Sequence, residues 1–113
     1  MTEISARTLF CLYRDTVARA TSAILSKSDD EIAYDLFEEF DVGAHSFLHE
    51  ESLARLHRAG LLSADGVSLS RQLRARWLAL QDHDWSIAEI RTHPAWQDLF
   101  ALGDAIMQRL GAA

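Results

Sequence analysis

Residues 29–51 read DDEIAYDLFEEFDVGAHSFLHEE. The stretch holds nine of the chain's 17 acids (Asp29, Asp30, Glu31, Asp35, Glu38, Glu39, Asp41, Glu50 and Glu51) and no Lys or Arg. The formal charge of −6 is therefore −9 here and +3 over the rest of the chain. Plotted at 100° per residue, Ile32, Ala33, Leu36, Phe37 and Phe40 share an arc of about 140°, and Glu31, Asp35, Glu38 and Glu39 share an opposite arc of about 100°. Ser28, Asp29 or Asp30 can cap the start, and acids in the first turn suit the positive end of the helix dipole. The pattern predicts a helix over about residues 30–40, stopped by Gly43 in a left-handed conformation. Its apolar face is committed to a core. On the other face, like charges three and four apart disfavour the helix by roughly 0.2–0.5 kcal/mol per pair. Such a face either keeps the chain in solution or meets a basic partner.

Working outward, the N-terminal side predicts a helix over about residues 5–25, with Leu9, Tyr13, Val17, Ala20 and Ile24 inward and Cys11 packed in or at the edge of the core. On the C-terminal side, Ser46 is placed to cap a third helix that runs to about Ala59, with Phe47, Leu48, Leu53 and Leu56 inward and Gly60 closing it. Ser63, Ala64, Asp65 and Gly66 read as a turn, and Val67, Ser68 and Leu69 as a short extended piece. A fourth helix over about residues 70–81 carries Leu73, Trp77 and Leu80, and Asp82, His83 and Asp84 form a polar loop. Ser86 and Glu89 make a capping box for a short helix. Pro94 opens the last helix, whose stripe is Trp96, Leu99, Phe100, Gly103, Ile106 or Met107, and Leu110, with Gly111 closing it. Gly103 on the buried side predicts a close helix approach. The expectation is one all-α domain over residues 1–113, a bundle of five to six helices around one core.

Composition narrows the function classes. A single Cys11 cannot form an intrachain disulfide and fits a reducing, cytoplasmic setting. No apolar run approaches the about 18 residues a membrane span needs. A pI near 5.2 argues against nucleic acid as a partner. Arg71, Arg74 and Arg76 follow a helix-turn-helix-like region, but the gap from Gly60 to Leu69 is too long for that motif and the acidic stretch would repel DNA.

Catalytic and cofactor motifs are missing: there is no GxSxG, Gly-rich phosphate loop, HExxH or CxxC. No catalytic residue, metal or cofactor is assigned. Asp41, His45 and His49 stand four apart, as metal ligands on one helix face would, but a break at Gly43 separates them. His83 between two acids reads as a hydrogen-bonded loop imidazole. Tyr34, at the border of the acidic arc, combines an aromatic ring with neighbouring acids, as in interfaces for basic partners.

The acidic helix and the run WLALQDHDWSIAEIRTHPAWQDLFAL, residues 77–102, give the chain a resemblance to small acidic helical immunity proteins of bacterial toxin systems, including contact-dependent inhibition. The resemblance implies an inhibitor that occupies the cationic groove of a toxin domain, often a nuclease, and it assigns no residue. Joined to the charge pattern, it yields the expectation of a non-enzymatic immunity protein. The expected contacts with a basic protein are Asp30, Glu31, Tyr34, Asp35, Glu38, Glu39, Asp41 and Glu50. A regulatory or adaptor module is the alternative, and a small enzyme or metal protein using His45 and His49 the third reading.

Overall fold

The four-residue spacing of Ile32, Leu36, Phe40 and Ala44 shapes the second helix and, through it, the fold. All four side chains are fully buried. An ideal α-helix would rotate this row by about 120° over its length, because 3.6 residues make a turn. The computed structural model, which describes residues 4–81 and 83–111, shows how the row stays on one side. The helix begins as α (Asp29–Tyr34), widens into a π segment (Asp35–Phe40) and returns to α (Asp41–Ser46) without interruption. Wider π turns hold a period of four in register. Gly43 is thus no stop, contrary to the sequence expectation. It is buried inside the helix, and a Cβ there would collide with the Thr16 side chain. The helix ends three residues later, where the Phe47 and Leu48 amides both donate to the Gly43 carbonyl.

The regular secondary structure of the described residues is all helical, with no strand. Six helices carry the fold: α1 (Ala6–Ala18), α2 (residues 29–46), α3 (Glu50–Arg58), α4 (Ala64–Leu80), α5 (Ile87–Thr92) and α6 (Pro94–Gly111), with a 3-10 turn at Ser22–Ser26. Helix α6 packs against α1, the 3-10 turn, α4 and α5. One core joins Tyr13, Phe40, Trp77, Trp96 and Phe100 to the surrounding aliphatic residues. None of the helices is long and apolar enough to cross a membrane.

Several boundaries differ from the sequence expectation, each for a local reason. The first helix stops at Ala18, ahead of Ala20, which lies so close to Gly103 that a Cβ on the glycine would strike the Ala20 carbonyl. Ser22 then donates its amide to Asp104 Oδ1 at 3.0 Å, and the 3-10 turn still returns Ile24 to the core. Ser46 ends α2, and His49 caps α3 instead, its Nδ1 accepting from the Glu51 amide at 3.3 Å. Residues 63–69 are neither turn nor extended piece: Ser63 caps α4 by accepting from the Gly66 amide at 3.1 Å. Ser70, inside α4, donates to the Gly66 carbonyl at 2.7 Å and bonds Tyr13 Oη at 2.6 Å. Burial raises the Tyr13 pKa against a smaller opposing effect of that bond. Cys11 is exposed on the outer side of α1, not packed in the core.

Other signals hold in the structure. Gly60 is left-handed, with φ at 76°. The capping box at Ser86 and Glu89 is formed, and Pro94 opens α6. Asp82 lies outside the described residues.

Candidate functional site

Helix α2 sorts its residues into four rows of period four, and each row does different work. The inner row is Ile32, Leu36, Phe40 and Ala44. A second row faces α1: Asp35 is 5% exposed, held by Arg19 Nη1 and Lys27 Nζ at 2.6 Å each, and Gly43 lies against Thr16. Asp35 is therefore a buried pin between helices, not a contact residue; the wheel at 100° per residue placed it outside because it omits the π turn. Glu31, in the same row, is drawn back to Ser28, accepting from its hydroxyl at 3.0 Å within the formed capping box.

The outer row consists of Asp30, Tyr34, Glu38 and Val42, all exposed. Tyr34 is 53% exposed and Val42 63%. Tyr34 donates its hydroxyl to Glu39 Oε1 at 2.6 Å, an i,i+5 bond that fits the π segment, and this bond with the Glu39 charge raises the tyrosine pKa. Asp30 and Glu38 form no ion pair among the described residues.

Tertiary cations neutralise much of the remaining acidic stretch. Asp29 pairs with Arg91 at 2.8 Å. Glu50 pairs with Arg71 at 2.8 Å, and that hydrogen bond holds its carboxyl below the usual range. Glu50 is thus engaged by Arg71, although its side chain stays 57% exposed. Local sequence could not reveal this, since Arg71 comes from α4.

The fourth row, Phe37, Asp41 and His45, forms one wall of a cleft of ≈ 580 Å³. The opposite side comes from the end of α4 (Trp77, Leu80, Gln81), the loop with His83, Asp84 and Trp85, and Trp96 of α6. Phe37 is 43% exposed, although the wheel placed it in the core. Asp41 is half-buried and not a free acid: its Oδ1 accepts from Trp77 Nε1 at 3.1 Å and Gln81 Nε2 at 2.7 Å, with His45 Nε2 at 3.4 Å. Both hydrogen-bond donors converge on Oδ1, with the His45 ring beside them. Oδ2 has no hydrogen-bond partner among the described residues.

All three tryptophans belong to this aromatic wall. The Trp96 ring centroid lies 5.9 Å from Trp77, 5.8 Å from Trp85 and 6.5 Å from Phe37. Trp85 Nε1 donates to the Leu80 carbonyl at 2.7 Å, and the His83 and His93 rings pack on Trp85 at 4.5 and 4.9 Å. Trp96 Nε1 is buried without a hydrogen-bond partner. Sequence reading missed the cleft, although Phe37, Asp41 and His45 share the same period of four as the core row.

Asp41 and His45 share a row across Gly43, but His49 sits at the α3 cap, beyond the end of α2. No group of three His, Cys, Asp or Glu among the described residues is arranged to hold a metal. The chain matches no known protein family, no curated protein and no solved structure.

Proposed function

We propose that this chain is a non-catalytic inhibitor of the immunity type that binds a basic protein, such as a nuclease toxin domain, through the outer row of α2. The observation that carries the reading is the composition of that row. Of the four large apolar side chains exposed among the described residues, Tyr34, Phe37 and Val42 lie on α2, and Ile4 is the fourth. Within the outer row Tyr34 and Val42 alternate with Asp30 and Glu38, which pair with no cation among the described residues, and Phe37 lies in the adjoining row. Interfaces of this kind place aromatic anchors at the centre and charges around them. The acids steer a cationic partner into place, and Tyr34 supplies desolvated contact area. Glu39 holds the Tyr34 hydroxyl and fixes the ring's pose.

The test is surface kinetics against candidate cationic toxin domains, any encoded beside this gene first, at two ionic strengths. Reversing Asp30, Glu38 and Glu39 to Lys is expected to slow association about tenfold or more at low salt, with the difference shrinking at high salt. Tyr34→Ala is expected to speed dissociation with little salt dependence. Unchanged association by the triple reversal at low salt would overturn the proposal.

A further inference from the structure

The cleft beside α2 has a chemistry of its own. Its accessible aromatic surface is that of Phe37 and half-buried Trp85, since Trp77 and Trp96 are buried. Both accessible rings stand nearly perpendicular to the same Trp96 ring, at 86° and 89°. Two carboxylates complete the lining, Asp41 with its open Oδ2 and exposed Asp84, and no Lys or Arg contributes to it. Aromatic faces attract cations through their quadrupole, more strongly as water is excluded. A carboxylate in the same lining adds a charge-assisted acceptor. An anion would meet both acids without a fixed counter-charge, and a purely apolar ligand would leave them unpaired.

We infer that this cleft seats the guanidinium or ammonium head of a basic side chain presented by the partner protein, held by the rings of Phe37 and Trp85 and by the carboxylates of Asp41 and Asp84. The inference rests on reading the chain as a binder of a basic protein, and adds where one cation of that partner is read. The outer row then supplies steering, and the cleft supplies selectivity for a side chain of the right length.

The full chain allows a direct test, because its three tryptophans lie in this wall. N-acetyl-arginine amide is titrated against tryptophan fluorescence, with N-acetyl-citrulline amide as the neutral control of matching shape. A saturable change with a dissociation constant on the order of millimolar is expected for the arginine probe alone. Asp84→Asn and Phe37→Leu are each expected to weaken it about fivefold or more, while Glu38→Lys leaves it within about twofold. A short peptide with a central arginine is expected to bind more tightly than the capped residue. Equal responses to arginine and citrulline, or no saturable response, would overturn the cation site. Tighter binding of the capped arginine than of the peptide would also overturn it, by making the cleft a small-molecule site. Loss of this signal alongside an intact Glu38-dependent association with the partner protein would remove the cleft assignment and leave the outer-row reading standing. The reverse pattern would do the opposite.

Discussion

Helices α2 and α6 obey different periods, and the contrast explains which faces could be read in advance. Along α6, the buried positions Trp96, Leu99, Phe100, Gly103 and Ile106 mix spacings of three (96 to 99, 100 to 103, 103 to 106) and four (96 to 100, 99 to 103), which is the signature of 3.6 residues per turn. Along α2 the buried row steps by four every time, and the helix widens to follow it. A regular helix exposes its faces to a simple wheel. A widened one moves residues between faces without changing the sequence, which sends Asp35 inward and Phe37 outward.

The sharpest way to break this comparison is a pair of phenylalanines that the wheel treats alike. Phe40→Ala is expected to cost about 3–5 kcal/mol, as full burial demands, and Phe37→Ala only about 1 kcal/mol. Urea unfolding of both variants checks this, and equal costs would mean that α2 is a regular α-helix.

The next largest effect concerns the two close approaches. Gly103→Ala and Gly43→Ala are each expected to destabilise by about 1–3 kcal/mol, from overpacking against Ala20 and Thr16 respectively. Thr16→Ala should recover part of the loss at Gly43, since the collision there is with a side chain, and none at Gly103, where backbone is struck. Full insensitivity of Gly43→Ala to the Thr16 change would place Gly43 elsewhere.

A smaller effect separates two acids three residues apart. Asp35→Ala is expected to lower stability by about 1–3 kcal/mol, a range limited by the partial exposure of Arg19 and Lys27. Glu38→Ala should leave the melting temperature unchanged, because no group among the described residues holds that carboxylate.

The smallest effect is acid dependence. Arg71 depresses the Glu50 pKa, and the Ser86 amide and hydroxyl depress that of Glu89. Each therefore contributes stability that is fully present above the ordinary glutamate value of 4.5 and is lost as pH falls through the depressed folded value. Melting curves of Glu50→Gln should show a shallower decline below that point than the unaltered protein, and an identical slope would show that the pair is not coupled to folding.

The all-helical class, the α6 stripe, the Ser86 capping box and the Gly60 stop were legible because each depends on residues within one turn of each other. The core row of α1 was legible even where the helix was not, since the 3-10 turn delivers Ile24 to the position a longer helix would have reached. The candidate site was legible in part. The exposed acids Asp30 and Glu38 and the ring of Tyr34 stand where the wheel placed them. What stayed hidden depends on distant chain. Arg71 neutralises Glu50 from α4, Arg91 neutralises Asp29 from α5, and the cleft takes its walls from α2, α4, the following loop and α6. Gly43 misled for a different reason. Its missing side chain serves packing against Thr16, and a glycine looks the same in sequence whether it supplies a backbone angle or an empty space.

The close seat of Gly103 on Ala20 also bears on how the chain is made. Synthesis delivers α1 and the 3-10 turn long before α6, the helix on which both are packed. Until α6 emerges, Leu9, Tyr13 and Val17 have no completed core to enter, and the nascent chain carries their apolar surface on the ribosome. Chaperone demand should therefore fall at the point where the segment around Gly103 becomes available. A bulkier residue at that position would prolong the vulnerable interval as well as weaken the finished fold.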